Sequence, residues 1–122
     1  MKLLVIDDSK TMRTMLCTYA KKLGCTTVEA ADGCEALERL DDSGPFDCAL
    51  IDWDMPRMNG FDLLKIVRTV PEHDHMKIMM VTAQSSIDRV AEALGAGADD
   101  YLMKPLDEEM FVDKLRLLGL VV

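Results

Sequence analysis

The sequence predicts an α/β fold, a doubly wound parallel sheet of five strands with one helix after each. Two observations carry that expectation. Apolar runs of about four residues alternate with stretches of helical period, which is the pattern of strands joined by crossover helices. Four of those runs also end in a reactive polar residue: Leu3–Ile6 in Asp7-Asp8, Cys48–Ile51 in Asp52, Ile78–Val81 in Thr82, and Tyr101–Met103 in Lys104-Pro105. Open α/β sheets bind ligands at the carboxyl ends of their strands, where those residues fall.

Leu3–Ile6 is the first strand. Ser9 is placed to cap a helix on which Met12, Met15, Leu16, Tyr19, Ala20 and Leu23 recur at helical spacing, and Gly24 supplies its stop. Thr26–Ala30 is short and β-branched, hence strand two. Asp32-Gly33 reads as a turn. Ala36, Leu37 and Leu40 then mark a short helix that ends before Gly44-Pro45. Cys48–Ile51 is strand three. Pro56 and Asn59-Gly60 fill a loop that leads to a helix with Leu63, Ile66, Val67 and Val70 on one face, closed by Pro71. Ile78–Val81 is strand four, and Ile87, Val90, Ala91 and Leu94 mark the helix after it, stopping in Gly95-Ala96-Gly97. Tyr101–Met103 is strand five. Asp107 caps a last helix whose Phe111, Leu115 and Leu118 face inward, with Glu108 and Glu109 suiting the positive end of its dipole. Right-handed crossovers put helices on both faces of the sheet. With the flavodoxin-like strand order 2-1-3-4-5, adopted here because periodicity does not give it, strands one and three are neighbours. Asp7, Asp8 and Asp52 then meet between them.

Length and charge narrow the function. The 122 residues make one domain, 1–122, of a size that buries its own core, with no linker or internal repeat. A net charge of −8 speaks against direct nucleic-acid binding, which needs a basic footprint. No apolar stretch approaches the ~20 residues of a membrane helix. The expected location is cytoplasmic. Cys17, Cys25, Cys34 and Cys48 form no C-x-x-C pair and read as free thiols in a reducing compartment.

The grouping has a chemistry of its own. Carboxylates held close together repel one another unless they protonate or a cation neutralises them. An all-oxygen set with few protein ligands suits Mg²⁺, with Mn²⁺ the other hard ion of the class. A carboxylate is ionised at neutral pH, so Asp52 needs no general base to attack phosphorus. Lys104 offers a point charge to one phosphoryl oxygen and Thr82 a hydroxyl to another.

Taken together, Asp7-Asp8, Asp52-Trp53-Asp54-Met55-Pro56, Asn59-Gly60, Thr82-Ala83 and Lys104-Pro105 resemble the CheY-like receiver domain of two-component response regulators. The likeness covers essentially the whole chain. It implies a phosphorylation-dependent signalling switch, not a metabolic enzyme, in which Asp52 accepts a phosphoryl group from a histidine kinase or phosphotransfer protein. It further implies that Asp8 and Asp52 bind Mg²⁺ directly, Asp7 through water, and Asp54 by its backbone carbonyl. Thr82 turns toward the phosphoryl group and Tyr101 swings inward. The face made by helix four, strand five and helix five then docks a downstream effector, with chemotaxis or motility the suggested setting. The family has a cis bond at the Lys104-Pro105 step. Asp54 and Gln84 occupy the positions that set phosphoryl lifetime in the family, and a carboxylate at Asp54 is a departure expected to alter it.

Two rivals follow from the same residues. Asp52-x-Asp54 also suits a haloacid-dehalogenase-like phosphatase, but Pro56 stands where that motif wants Thr or Val, and the chain has no room for a substrate cap. A receiver-like binding module without phosphoryl chemistry is the other. Trp53 is expected to lie partly exposed beside the site, and His73 and His75 read as loop residues.

Overall fold

Strand and helix alternate along the chain as the apolar runs dictate. The structure, a computed structural model, describes residues 1–83 and 87–121. The elements are β1 (Lys2–Ile6), α1 (Lys10–Lys22), β2 (Thr26–Ala30), α2 (Gly33–Asp42), β3 (Cys48–Asp52), α3 (Gly60–Val67), β4 (Lys77–Thr82), α4 (Ile87–Gly95), β5 (Asp100–Met103) and α5 (Glu108–Leu117), with a 3-10 turn at Pro71–His73. The strands form one sheet in the order β2-β1-β3-β4-β5, each neighbour parallel. This is the flavodoxin-like α/β architecture.

Successive strand residues point to opposite faces, so the central strands feed two cores. Leu4, Ile6, Ala49, Ile51, Ile78 and Met80 pack with Ala36 and Leu40 of α2, Leu63, Leu64 and Val67 of α3, and Ala93 of α4. Leu3, Val5, Cys48, Leu50, Met79 and Val81 face the other way, against Leu16 and Ala20 of α1 and Phe111 and Leu115 of α5. The register aligns the carboxyl ends: Ile6 pairs with Ile51, Asp52 with Val81, and Thr82 with Met103. Whatever follows those residues therefore shares one edge of the sheet.

The helix starts are stronger than the turn chemistry suggests. Asp32 and Asn59, read from sequence as turn and loop, are N-caps. The Asp32 carboxylate accepts from the Glu35 N–H at 2.7 Å, and the Asn59 amide oxygen accepts from the Asp62 N–H at 2.8 Å. Ser9 and Asp107 cap α1 and α5 as expected. α3 closes at Val67, short of the expected Val70. Val70 precedes Pro71 and is extended (φ −101°, ψ 108°), because the proline ring disfavours helix at the residue before it. Arg68 leaves the helix to donate to the carbonyls of Gly97, His73 and Met76 and to the Asp99 carboxylate. On α4 the apolar stripe is not core: Ile87 is 83% exposed and Leu94 46%, and Ala93 is the residue it buries.

Candidate functional site

Parallel strands end together, so β1, β3 and β4 deliver their last residues to a common crevice. Asp7 and Asp52 are buried, and Asp8 is exposed at the mouth. Each of the three offers a carboxylate oxygen, and these oxygens lie within 4.8 Å of one another. Local bonds hold the Asp7 turn. Its carboxylate accepts from the Ser9 N–H at 2.8 Å, and its carbonyl accepts from the Arg13 guanidinium at 2.6 Å. Arg13 is itself paired with Glu29 at 3.2 Å.

Lys104 enters from the end of β5. Its backbone N–H donates to the Thr82 carbonyl at 2.8 Å, and the Lys104–Pro105 bond is cis. The ammonium lies 3.3 Å from Asp52 Oδ1 and 3.4 Å from Asp7 Oδ2, bridging the two buried carboxylates. Burial pushes the Asp52 carboxyl up, the Asp7 charge adds to this, and Lys104 partly offsets it, leaving the group at about 6. Burial pulls Lys104 the other way, but Asp52 and Asp7 outweigh it and its pKa rises. The lysine stays charged.

Among the described residues one ammonium, that of Lys104, pairs with this acidic group, which leaves negative charge concentrated in a buried place. An all-oxygen donor set with one exposed member fits a hard divalent ion that keeps part of its water shell. The arrangement could hold such a metal ion beside a nucleophilic carboxylate. A bound cation would favour the ionised form of Asp52 and draw its pKa down.

α3 is seated against this site by Gly60, whose N–H donates to the Trp53 carbonyl at 2.8 Å. A Cβ at Gly60 would come within 2.2 Å of the Asp52 carbonyl oxygen and 2.8 Å of its carbon. Glycine is required there because the backbone of the carboxylate-bearing residue occupies the space. Met55 is buried, and Arg57 adopts a positive φ of 68° in the turn between them.

Thr82 is buried at the end of β4, next to the strand that carries Asp52. Its hydroxyl accepts from Arg89 Nη1 at 3.2 Å. The same guanidinium reaches both oxygens of Asp54, at 3.0 and 3.3 Å, and lies 4.5 Å over the Trp53 ring. Trp53 is buried, contrary to the partial exposure expected from sequence. It stacks on Phe61 of α3 with ring centroids 5.1 Å apart and 3° between planes, so a large apolar ring finds cover on both faces. Tyr101 is half-buried, with Lys114 Nζ 4.7 Å over its ring, and it lines two shallow grooves of about 300 and 230 Å³ on either side of β5.

Of the residues singled out from sequence, Asp7, Asp8, Asp52 and Lys104 lie together, with Thr82 on the adjacent strand end. Asp54 turns its exposed carboxylate to Arg89, outside the acidic group. Gln84 lies outside the described residues. Arg89 and Arg13 have no place in the sequence reading, and Gly60 enters it only as part of the Asn59-Gly60 loop and motif, without its packing role. An arginine on an amphipathic helix looks like a solvent-facing residue, and Asn59-Gly60 looks like any turn.

Comparison with known proteins agrees with this geometry. The family model of the response regulator receiver domain matches residues 3–116. A chemotaxis protein CheY of Pseudomonas aeruginosa is 41% identical over 116 residues, covering 94% of this chain and 93% of the relative. CheY1 of Helicobacter pylori is 40% identical over 118 residues, covering 96% and 95%. The solved structure of the chemotaxis response regulator CheY4 of Vibrio cholerae superposes with a TM-score of 0.90 at 32% identity, covering 96% of this chain and 97% of that one.

Proposed function

Because the chain belongs to the response regulator receiver domain family, we propose that it is a Mg²⁺-dependent phosphoryl acceptor whose acceptor atom is a carboxylate oxygen of Asp52. The family is one of signalling switches, and neither the family match nor the homologues support the phosphatase or the phosphorylation-independent module. The observation that carries the assignment is the convergence of Asp7, Asp8 and Asp52 within 4.8 Å, with Lys104 Nζ 3.3 Å from Asp52 Oδ1. The whole of 1–122 is read as one receiver domain.

Asp8 and Asp52 would hold the ion directly in this reading, with Asp7 acting through water and the Asp54 carbonyl completing the protein's share. Mg²⁺ bound there supplies neutralisation of the phosphoryl oxygens and favours ionised Asp52. The ionised carboxylate oxygen attacks phosphorus and the P–N bond of a donor phosphohistidine breaks. The imidazole nitrogen leaves with the bonding pair and takes up a proton. Lys104 is already poised over Asp52 Oδ1 and shifts to an oxygen of the transferred group. Catalysis is charge neutralisation and positioning, since the transition state spreads its charge over the equatorial oxygens. Water later reverses the linkage, at a rate to which Asp54 and Gln84 contribute.

The switch follows from one new charged ligand in a two-state element. The Thr82 hydroxyl turns to the phosphoryl group, and Tyr101, flanked by grooves, moves into the space released. The α4-β5-α5 face thereby changes for its effector, and a sensor kinase or phosphotransfer protein supplies the phosphoryl group. Shifting the population from mostly off to mostly on takes ~5 kcal/mol of differential stabilisation. Contacts from Thr82, Lys104 and the ion are the sources. The four free thiols suit a reducing compartment, the cytoplasm. Among the described residues no helix is long and apolar enough to cross a membrane.

Incubation with acetyl phosphate and Mg²⁺, followed by intact-mass measurement, tests the assignment. Wild type should gain one phosphoryl group, with no gain when a chelator replaces Mg²⁺ and none in Asp52→Asn. Labelling that persists in Asp52→Asn would move the acceptor elsewhere.

A further inference from the structure

One guanidinium joins three parts of the molecule. Arg89 lies in the first turn of α4, Asp54 follows β3, and Thr82 ends β4. Arg89 donates to both Asp54 oxygens and to the Thr82 hydroxyl while stacking 4.5 Å over Trp53. Trp53 is pinned in turn on Phe61 of α3. A planar fork can hold two partners and an aromatic face together, which a lysine ammonium cannot do from one rotamer. The Arg89 side chain is 20% exposed, so it is largely enclosed by these contacts.

We propose that Arg89 is an off-state latch. It holds the Thr82 hydroxyl and the start of α4 in the unphosphorylated arrangement, and breaking the Arg89–Thr82 contact is a step of activation. The proposal rests on the reading of Asp52 as phosphoryl acceptor and Thr82 as the hydroxyl that engages the phosphoryl group. The Thr82 hydroxyl accepts from Arg89 and keeps its own proton to donate; the latch acts because turning the side chain toward the phosphoryl group, as the proposed switch requires, carries that oxygen away from the guanidinium. Arg89 is anchored by Asp54 and Trp53 and does not follow freely. Contacts made in the off state alone weaken every ligand that selects the on state. The same tether links the phosphorylation site to α4, one wall of the groove beside Tyr101. Arg89 is thus a positioning residue that acts through Thr82.

The test is calorimetric titration of the full chain with beryllofluoride at saturating Mg²⁺, with hydrogen exchange of α4 followed in parallel. Arg89→Ala should bind the mimic roughly fivefold tighter than wild type, the low end of ordinary coupling between sites. Exchange at the start of α4 in the mimic-free variant should already match that of mimic-bound wild type, with β1 and β3 unchanged. A merely structural role would raise exchange throughout and tighten nothing. Arg89→Lys keeps the charge without the fork and should fall between the two, which carries the test if Arg89→Ala does not fold. Unchanged or weaker binding in the folded variants overturns the latch alone. A wild type that ignores the mimic overturns the acceptor reading, and the latch with it.

Discussion

Replacing Asp52 with Asn should stabilise the ion-free protein at neutral pH, although it removes the proposed acceptor. The Asp52 carboxyl is held at about 6 in the fold against an ordinary 3.8, chiefly because it is buried. Folding therefore favours its protonated form. That contribution is fully present below an ordinary carboxylate pKa and is lost as pH rises through about 6. A shift of about two pH units corresponds to about 3 kcal/mol of strain at neutral pH. Asn also turns the 3.3 Å ion pair with Lys104 into a neutral acceptor contact at best, which leaves the ammonium's charge paired with Asp7. The net gain expected is therefore smaller, about 1–2 kcal/mol, because breaking one side of a buried ion pair is costly. Urea unfolding at about pH 7.5 and about pH 4, without divalent ions, reads it directly. The Asn variant should gain at the higher pH and converge on wild type at the lower. Mg²⁺ should stabilise wild type and leave the variant little changed. A variant destabilised at neutral pH, or one gaining equally at both, would refute the claim that Asp52 is charged under strain.

Other perturbations address separate parts of the account. Gly60→Ala drives a Cβ to 2.2 Å from the Asp52 carbonyl, so overpacking should cost about 2–3 kcal/mol by urea melt despite alanine's better helix propensity, and Mg²⁺ binding should weaken with it. Lys104→Met removes a cation that competes for the acidic group; Mg²⁺ binding should hold or tighten a few-fold by Trp53 fluorescence, while acetyl phosphate labelling slows by roughly tenfold or more. Among the thiols, exposed Cys34 should react with a disulfide reagent in the native state. Cys48, buried and pushed up to about 12, should react only on unfolding.

The parallel sheet was legible because its strands are buried on both faces and read as apolar runs. The reactive residues stood out because each closes such a run. Strand order was not legible, since periodicity carries no information about neighbours. Trp53 is buried, against expectation, because its position beside Asp52 says nothing of Phe61 and Arg89, which cover it from α3 and α4. Gly60 looked like turn chemistry, whereas the constraint is the Asp52 backbone it lies against. Helical spacing found the stripe on α4 but not its fate: Ile87 and Leu94 stay exposed along the groove beside Tyr101, and small Ala93 makes the buried contact. Arg89 had no signal of its own. Its role exists only once Asp54 and Thr82, distant in sequence, are brought to one crevice.

A crystal structure of the chain with Mg²⁺ and beryllofluoride tests the shared acidic pocket most directly. The ion should sit on Asp8, Asp52 and the Asp54 carbonyl, with beryllium bonded to an Asp52 carboxylate oxygen and its fluorines contacted by Thr82 Oγ1 and Lys104 Nζ. An ion bound elsewhere, or beryllofluoride on any other side chain, would contradict it.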